Sequence, residues 1–304
     1  MRVAITGSSG LIGTALAEHL RGGGTEVTRL VRRPPASGEE FRWDPAADDG
    51  GLRWSALGRV DAVVHLSGAP VAGGRWTTAR KRVLRASRIG TTAALVRALL
   101  AADEPPATLL AGSAIGWYGD TGDRAVDETA PAGAGFLATL VADWERAAAP
   151  AAGAGIRVVS LRSGIVLSGR GGMLRPLLPL FRLGLGGRVG SGAQYLSWIS
   201  IDDHVRAVSF LLGRPDITGP VNLTAPAPAT NAEFTRALAT AVHRPARLAV
   251  PGWAVRFALG ELATELLGSS RVEPARLQQA GFGFDYAAIG PALTEAVRQA
   301  RSGR

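Results

Sequence analysis

Short apolar runs alternate with longer amphipathic stretches over roughly the first 165 residues. The apolar runs are continuous, as in Ala62-Val63-Val64, which is typical of strands covered by helices on both faces. The predicted strands span residues 3–6, 26–31, 62–66, 108–111 and 157–161. The predicted helices span residues 11–21, 78–101, 136–148 and 203–212, with Asp203 as the expected N-cap of the last one. This order of elements predicts βαβ units and a parallel sheet.

The pattern changes beyond about residue 165. A Gly-bounded, Leu-rich stretch at 171–187 predicts a helix, and 221–223 predicts one more strand. Residues 230–300 look helical, with Pro and Gly breaks. We therefore predict the α/β class, with a Rossmann-type doubly wound parallel sheet in residues 1–165 and return contributions from about 200–225. A smaller, mostly helical lobe in residues 166–304 is expected to close over the C-terminal edge of the sheet.

A glycine-rich motif directly follows the first predicted strand and opens the first helix. In such a motif, the first glycine allows the tight turn, the second lets the backbone approach a pyrophosphate, and the third lets helix and strand pack closely. The free N–H groups of the helix end then favour phosphate. The candidate cofactor-binding residues here are Gly7, Ser9, Gly10, Leu11, Ile12 and Gly13. The alternative is a glycine-rich turn with no ligand.

The residues after the second predicted strand distinguish between the two nicotinamide cofactors. NAD-preferring sites usually carry a carboxylate there for the ribose 2′-hydroxyl, whereas this chain has Arg32-Arg33. A guanidinium binds a 2′-phosphate in bidentate fashion. We therefore predict NADP(H) as the cofactor, with Arg32 at its 2′-phosphate. The alternative is two solvated arginines in a loop.

Composition limits the classes of function. The chain has 304 residues and no cysteine, which excludes disulfides and thiolate chemistry. No signal-peptide pattern and no apolar stretch of about 18 residues is visible, so we expect a cytoplasmic protein with no membrane partner. The net charge of +9 leaves nucleic acid as a weaker alternative partner, because the charge is spread along the chain. The sequence shows no metal-ligand spacing.

Further motifs resemble a known family over nearly the whole length. They are Val64-His65-Leu66-Ser67-Gly68-Ala69-Pro70, Arg75-Trp76, Arg80-Lys81, Ser87-Arg88, Ser113-Ala114-Ile115-Gly116-Trp117-Tyr118-Gly119, Asp143-Trp144-Glu145, Leu161-Arg162-Ser163-Gly164, Leu183-Gly184-Leu185-Gly186-Gly187, residues 194–203 and Thr230-Asn231-Ala232-Glu233-Phe234. They resemble the atypical extended short-chain dehydrogenase/reductases called the epimerase family, or sugar-nucleotide epimerase-like proteins. Residues from 251 to about 293 look like the small helical module that ends these proteins.

The resemblance implies roles for several of these residues. Leu66, Ser67 and Gly68 are expected beside the adenosine or the bridging phosphates of the cofactor, and Arg88 is expected to contact the cofactor. Residues 161–164 resemble the loop beside the nicotinamide. The substrate stays unknown, and a homodimer is possible because many relatives pair through helices.

The catalytic pair of the family is missing. Standard members use Tyr-x-x-x-Lys, in which the lysine lowers the tyrosine pKa. The only lysine here, Lys81, has Thr77 four residues before it. The stretch at 136–141, where the pair is expected, contains neither residue type.

The serine that usually accompanies this pair is also displaced. It is expected four residues before Tyr118, where this chain has Ala114. Ser113, one residue away, and Tyr118 are therefore our catalytic candidates, with Tyr195 as another. Two functions stay open: an NADP(H)-dependent oxidoreductase or epimerase of unknown substrate, and a non-catalytic NADP(H)-binding regulator or redox sensor.

Overall fold

The computed structural model describes residues 1–47, 51–72 and 74–302. The strands are β1 (Arg2–Thr6), β2 (Glu26–Val31), β3 (Glu40–Arg42), β4 (Ala62–His65), β5 (Thr108–Ala114), β6 (Arg157–Ser163), β7 (Ile165–Ser168), β8 (Gly171–Gly172), β9 (Gly187–Val189), β10 (Tyr195–Leu196), β11 (Trp198–Ser200), β12 (Gly219–Leu223), β13 (Ala229–Thr230) and β14 (Leu248–Val250). The α-helices are α1 (Leu11–Gly22), α2 (Thr78–Arg85), α3 (Thr91–Leu100), α4 (Phe136–Gly153), α5 (Leu174–Arg182), α6 (Ile201–Leu212), α7 (Asn231–Val242), α8 (Gly252–Leu259), α9 (Leu262–Leu267), α10 (Ala275–Gln279) and α11 (Ile289–Ser302).

Seven strands form a parallel central sheet within the described ranges, in the order β12-β6-β5-β4-β1-β2-β3. The chain builds one half outward from β1 and then crosses back to β4 to build the other half. The predicted α/β class with a doubly wound parallel sheet is confirmed. In such sheets, ligands bind outside the carboxyl ends of the strands where the order reverses, which here is between β1 and β4.

The continuous apolar strands are explained by the two packed faces of the sheet. Ile5 and Val64 belong to the core that α1 and α6 cover, whereas Ala4 and Val63 belong to the core beneath α3 and α4. Side chains of successive strand residues point to opposite faces, so both faces require apolar residues at every position. Burial of this kind stabilises by about 25 cal/mol per Å² of apolar surface.

The later part of the chain forms a further core around helices α5, α7 and α11 and strands β7 and β11. In contrast, α6 packs on α1 and β12 extends the central sheet beside β6. Helix α7 begins with a capping box, in which the Thr230 hydroxyl accepts from the Glu233 backbone and the Glu233 carboxylate accepts from the Thr230 backbone.

Several predicted boundaries were wrong. Helix α6 begins at Ile201, because the Ser200 side chain accepts a hydrogen bond from the Asp203 N–H and provides the cap that was expected from Asp203. The predicted helix at 78–101 is interrupted by a π-helical turn at Ala86–Gly90. The edge strand β3 and the short strands between β6 and β12 were not predicted, because each is too short to show a period.

Candidate cofactor and active site

The glycine loop between β1 and α1 is shaped by close backbone contacts. Gly7 has a φ of 66°, and a side-chain carbon added there would lie 2.6 Å from the Leu66 carbonyl oxygen. A carbon added at Gly13 would lie 2.3 Å from the Gly7 carbonyl oxygen. Both positions therefore accept only glycine without a backbone shift.

Helix α1 begins beyond Gly10 with no side chain capping its first N–H groups. Ser9 and Gly10 are exposed, and Leu11 and Ile12 are half-buried. An uncapped helix end with accessible backbone N–H groups suits a phosphate. Of the six residues predicted from the glycine motif, Gly13 is buried and the other five are exposed or half-buried at the carboxyl end of β1.

The two arginines after β2 have different surroundings. Arg33 donates to both carboxylate oxygens of Glu40, at 2.8 and 2.7 Å, and Arg29 lies 3.2 Å from the same carboxylate. The hydrogen bond from Arg33 lowers the pKa of Glu40. Arg32 is exposed, and it makes no ion pair among the described residues. Arg32 is therefore the arginine that is available to a ligand.

The second predicted cofactor loop follows β4. Leu66 and Ser67 are half-buried and Gly68 is exposed. The loop is anchored below by the buried His65, whose Nδ1 lies 2.7 Å from the Thr6 hydroxyl and whose Nε2 lies 3.0 Å from the Thr92 hydroxyl. Burial lowers the pKa of His65 to about 4. His65 thus orients the loop from behind and does not reach a ligand.

Arg88 lies against the same loop. Its Nη2 donates to the Ala69 carbonyl at 3.0 Å, and its guanidinium lies over the Trp144 ring, 5.2 Å from the centroid. A carbon added at Gly68 would lie 3.3 Å from the Arg88 Cζ. Burial lowers the pKa of Arg88 to about 10. The structure therefore brings Arg88 and the residues at 66–68 together at the carboxyl end of β4.

A hydrogen-bonded network holds both catalytic candidates. The Ser113 hydroxyl donates to Glu145 at 2.6 Å, and Glu145 accepts a bidentate pair from Arg162 at 2.8 and 3.0 Å. Arg162 also donates to the Tyr118 hydroxyl at 3.0 Å, and that hydroxyl donates to Asn222 Oδ1 at 2.8 Å. This network spans β5, α4, β6 and β12.

The network leaves Tyr118 poorly suited to proton transfer. Its side chain is buried, and its hydroxyl is already engaged as both acceptor and donor. Burial raises the pKa of Tyr118, which is the opposite of what an active-site tyrosine needs. Tyr195 pairs with Thr230 across β10 and β13 and lies under Arg271.

The position of the missing pair is apolar. A carbon added at Gly116 would lie 3.1 Å from Leu137 Cβ and 3.7 Å from Val141 Cγ2. Leu137 packs in an apolar cluster with Trp76 and Leu262. The first turns of α4 therefore place apolar side chains against the segment that follows β5. Lys81 instead pairs with Glu261, and its ammonium lies over the ring of Phe136, the first residue of α4, 4.9 Å from the centroid.

A contact between Ser163, at the end of β6, and His204 was not predicted. Ser163, the last residue of β6, is the register partner of Ala114 in β5 and is half-buried. Its hydroxyl lies 2.9 Å from His204 Nε2, and the buried Nδ1 of His204 has no partner among the described residues. Burial lowers the pKa of His204 to about 4. Only the packing of α6 against the sheet could reveal this pair, because Ser163 ends β6, His204 lies in α6 and the two residues are 41 positions apart.

The unpaired Nδ1 of His204 indicates which group donates in the hydrogen bond between His204 and Ser163. A buried N–H without a partner costs more than a bare nitrogen acceptor. The favoured tautomer therefore carries its proton on Nε2 and donates to Ser163. The serine O–H is then directed to the Leu161 carbonyl at 3.5 Å, a long contact that a ligand at the carboxyl ends of β5 and β6 can replace.

Comparison with known proteins agrees with this geometry. The sequence model of the "NAD dependent epimerase/dehydratase family" matches residues 3–223, and "Domain of unknown function (DUF1731)" matches residues 250–296. The first match covers more than half of the chain, and the chain therefore belongs to the NAD dependent epimerase/dehydratase family.

Individual relatives cover nearly the whole chain. The "Epimerase family protein Mb2239" of Mycobacterium bovis is 53% identical over 96% of both chains. "Epimerase family protein SDR39U1" of Bos taurus is 38% identical over 98% of this chain and 100% of that protein. The crystal structure of human epimerase family protein SDR39U1 (isoform 2) with NADPH superposes with a TM-score of 0.91, at 34% identity, covering 98% of this chain and 99% of the other. The chain is thus an atypical extended short-chain dehydrogenase/reductase of the epimerase family.

The described part of the chain contains neither a helix that could span a membrane nor a cluster of potential metal ligands. None of the helices in the described ranges is both long and apolar enough to cross a bilayer. Likewise, the described residues contain no group of three or more His, Cys, Asp or Glu that could hold a metal ion.

Proposed function

We propose that this protein binds NADP(H) across the carboxyl ends of β1, β2 and β4 and acts as an oxidoreductase or epimerase on a small molecule. The observation that carries the proposal is the contrast after β2, where Glu40 holds Arg33 but the exposed Arg32 makes no ion pair among the described residues. The similar human protein SDR39U1 was crystallised with NADPH, which supports the choice of cofactor.

The residues that fit the cofactor have separate tasks. The uncapped start of α1 at Ser9 and Gly10 receives the bridging phosphates, and the close-packed Gly7 and Gly13 shape the turn that presents it. Arg32 binds the 2′-phosphate and thereby favours NADP(H) over NAD(H). The loop at 66–68 and Arg88 line the cofactor cleft on the β4 side.

The bound cofactor supplies the hydride, and the protein must supply a proton donor for a reduced carbonyl oxygen. Tyr118 is held in its network, and the first turns of α4 are apolar. Ser163 is a half-buried serine at the carboxyl end of β6, and His204 is hydrogen-bonded to its hydroxyl. We assign the hydrogen bond to the reacting oxygen to Ser163 and the positioning role to His204.

Calorimetric titration with NADPH and NADH tests the cofactor assignment. We expect NADPH to bind at micromolar or lower concentration and NADH to bind more weakly. Replacing Arg32 with Ala should weaken NADPH by about 10- to 100-fold, the loss expected for a charged hydrogen-bonded contact, and leave NADH nearly unchanged. Arg97→Ala is the matched control, because Arg97 is an exposed arginine in the last turn of α3, which precedes β5 and so lies toward the amino ends of the strands. Equal losses for both cofactors would refute the role of Arg32.

The apolar surface of Leu137 and Val141 favours a second candidate, a cofactor-binding regulator or redox sensor without turnover. This candidate predicts tight NADPH binding, no hydride transfer to any carbonyl in a broad metabolite panel, and a partner whose affinity changes with NADPH. Stereospecific transfer of label from deuterated NADPH to a carbonyl compound would exclude it.

A further inference from the structure

The exposed large apolar side chains of the described chain are concentrated in two short segments, residues 180–185 and 248–257. Trp253 and Phe257 are 72% and 81% exposed, and Leu183 is 73% exposed. Further exposed apolar residues in these segments are Leu180, Leu185, Leu248 and Val250. The other such residues in the described ranges are Met1, Val83, Leu100 and Leu266. Monomeric soluble proteins rarely expose large apolar patches, and such patches mark interaction sites.

Backbone contacts place the two segments side by side. Strand β9, which follows the first segment, pairs in parallel with β14, which begins the second. The Arg244 Nε donates to the Arg182 carbonyl at 3.2 Å, which joins the end of α5 to the chain just before β14. Helix α8 follows β14 directly, and Trp253 and Phe257, four residues apart, share one face of this helix. The exposed apolar side chains therefore lie on connected, neighbouring elements.

Residues 180–189 and 244–257, hereafter the apolar–arginine surface, contain arginines and no carboxylate. The arginines are Arg182, Arg188, Arg244, Arg247 and Arg256, and none of them forms an ion pair among the described residues. The wider segments 146–201 and 234–260 also contain no Asp or Glu. Two copies of this surface in contact would place arginines against arginines, which is unfavourable. A partner that complements this surface is therefore acidic as well as apolar.

Strand β14 has a free edge within this surface. Its two-stranded sheet contains only β9 and β14, and every residue of β14 is exposed. The Val250 carbonyl accepts from the Gly190 N–H on the β9 side. Backbone groups of successive strand residues point to opposite sides, so the N–H and C=O of Ala249 point away from β9. An extended peptide that adds to this edge can pair with them, which is a common mode of peptide recognition.

We propose that the apolar–arginine surface binds an extended segment of another protein in which acidic residues alternate with apolar ones. The acidic side chains pair with the arginines, the apolar ones cover the exposed side chains, and the backbone adds to the free edge of β14. This surface and the cofactor cleft use different residues, so the proposal does not rest on the proposed function.

Two other anionic partners fit this surface less well. Nucleic-acid bases stack on aromatic rings, whereas most of the exposed apolar residues here are aliphatic. An anionic lipid surface attracts arginine and takes up apolar side chains, but it offers no backbone partner to Ala249. A peptide segment satisfies the charge, the apolar side chains and the strand edge together.

A peptide array tests the proposal on the full chain. It presents peptides in which Asp or Glu alternates with Leu, Val or Phe, beside copies in which Lys replaces the acids or Ser replaces the apolar residues. The acidic peptide that retains most protein is then titrated by fluorescence anisotropy. Phosphatidylcholine–phosphatidylserine vesicles and oligouridylate are measured in parallel, and sedimentation velocity measures self-association.

Two variants change the surface without opening the core. Phe257→Ser removes apolar surface and Arg256→Glu reverses one charge, and both residues are exposed. The matched controls are Leu100→Ser and Arg97→Glu, which change exposed residues of the same kinds on α3. Thermal melting checks the folding of all four variants. Methylation of either alternate set of peptide backbone nitrogens tests the strand pairing without changing the protein.

We expect Phe257→Ser and Arg256→Glu each to weaken binding of the acidic peptide by about tenfold, as the loss of an aromatic anchor or the reversal of a charge that faces an acid predicts. Both controls should bind like the parent protein, and one of the two methylated peptides should bind much more weakly than the other. Each of those results would support the proposal.

Several results would overturn it. One is an array in which acidic peptides are retained no better than their Lys or Ser copies. Others are equal losses in the control variants, or equal binding of the two methylated peptides. Vesicles or oligouridylate that bind in place of the peptide would assign the surface to a different anionic partner. A dimer that Phe257→Ser dissociates would assign it to a second copy of this chain.

Discussion

The two buried histidines predict that the protein loses stability in mild acid. Burial lowers the pKa of both His65 and His204 to about 4, whereas an unfolded histidine titrates near 6.5. The unfolded chain therefore binds more protons than the folded one between these two values. The stabilisation is fully present above about pH 6.5 and is lost as the pH falls toward about 4.

The expected loss of unfolding free energy follows from the difference between the pKa values of the folded and unfolded histidines. Each pH unit between the two pKa values costs about 1.4 kcal/mol per histidine. Going from pH 7 to pH 5 should therefore lower the free energy of unfolding by about 2 kcal/mol for each histidine and about 4 kcal/mol for both. Carboxylates with a lowered pKa, such as Glu40 and Asp143, contribute mainly below pH 5.

Urea unfolding at half-unit steps from pH 7 to pH 5 measures this dependence. In the parent protein the two histidines contribute nearly two protons to the uptake on unfolding at pH 5, and Glu128, Asp202 and Glu265, whose pKa burial raises, oppose them. His204→Gln keeps a polar group near Ser163 but cannot titrate, so it should lower the uptake by about one proton whatever its effect on stability at pH 7. The same proton uptake in His204→Gln and in the parent protein would refute the assignment of His204 as a buried neutral base.

Two further predictions concern the glycine loop and the catalytic candidates. Gly13→Ala places its added carbon 2.3 Å from the Gly7 carbonyl oxygen, so we expect a loss of about 1–3 kcal/mol in stability and weakened NADPH binding. Gly22→Ala, at the end of α1 with nothing within 4 Å, should lower neither quantity. Equal calorimetric and melting results for the two variants would contradict the close packing. Tyr118→Phe should cost about 1–3 kcal/mol in urea unfolding and spare any turnover that is found, whereas Ser163→Ala should lower turnover with NADPH affinity retained; the reverse pattern would restore Tyr118 as the catalytic group.

The cofactor end of the site was largely predictable from local sequence. The residues from Gly7 to Gly13 are contiguous, and the turn, the helix start and the close packing all depend on neighbours along the chain. Arg32 is predictable for the same reason, because it directly follows a strand. That Arg33 and not Arg32 is paired was not predictable, because Glu40 comes from a short edge strand without a periodic pattern.

The catalytic end could not be predicted to the same depth. Sequence counting identified the absence of Tyr-x-x-x-Lys and placed apolar residues at 136–141. It could not show that Ser113 and Tyr118 share one network through Glu145 and Arg162, which join four elements. The division into lobes at about residue 165 and the roles of the site residues stay predictions.

Sequence alone determined the class of fold, the glycine loop and the likeness to the epimerase family, because periodicity and contiguous motifs encode local backbone geometry and burial. Tertiary structure decided which polar groups meet. Strand register places Ser163 beside Ala114 and brings Ser113 opposite Arg162. Helix packing brings Arg88 onto Trp144, where backbone carbonyls and no described carboxylate accept its hydrogen bonds. Charge compensation depends on distances between residues that are far apart in the chain, so it is settled only when the sheet and its helices are assembled.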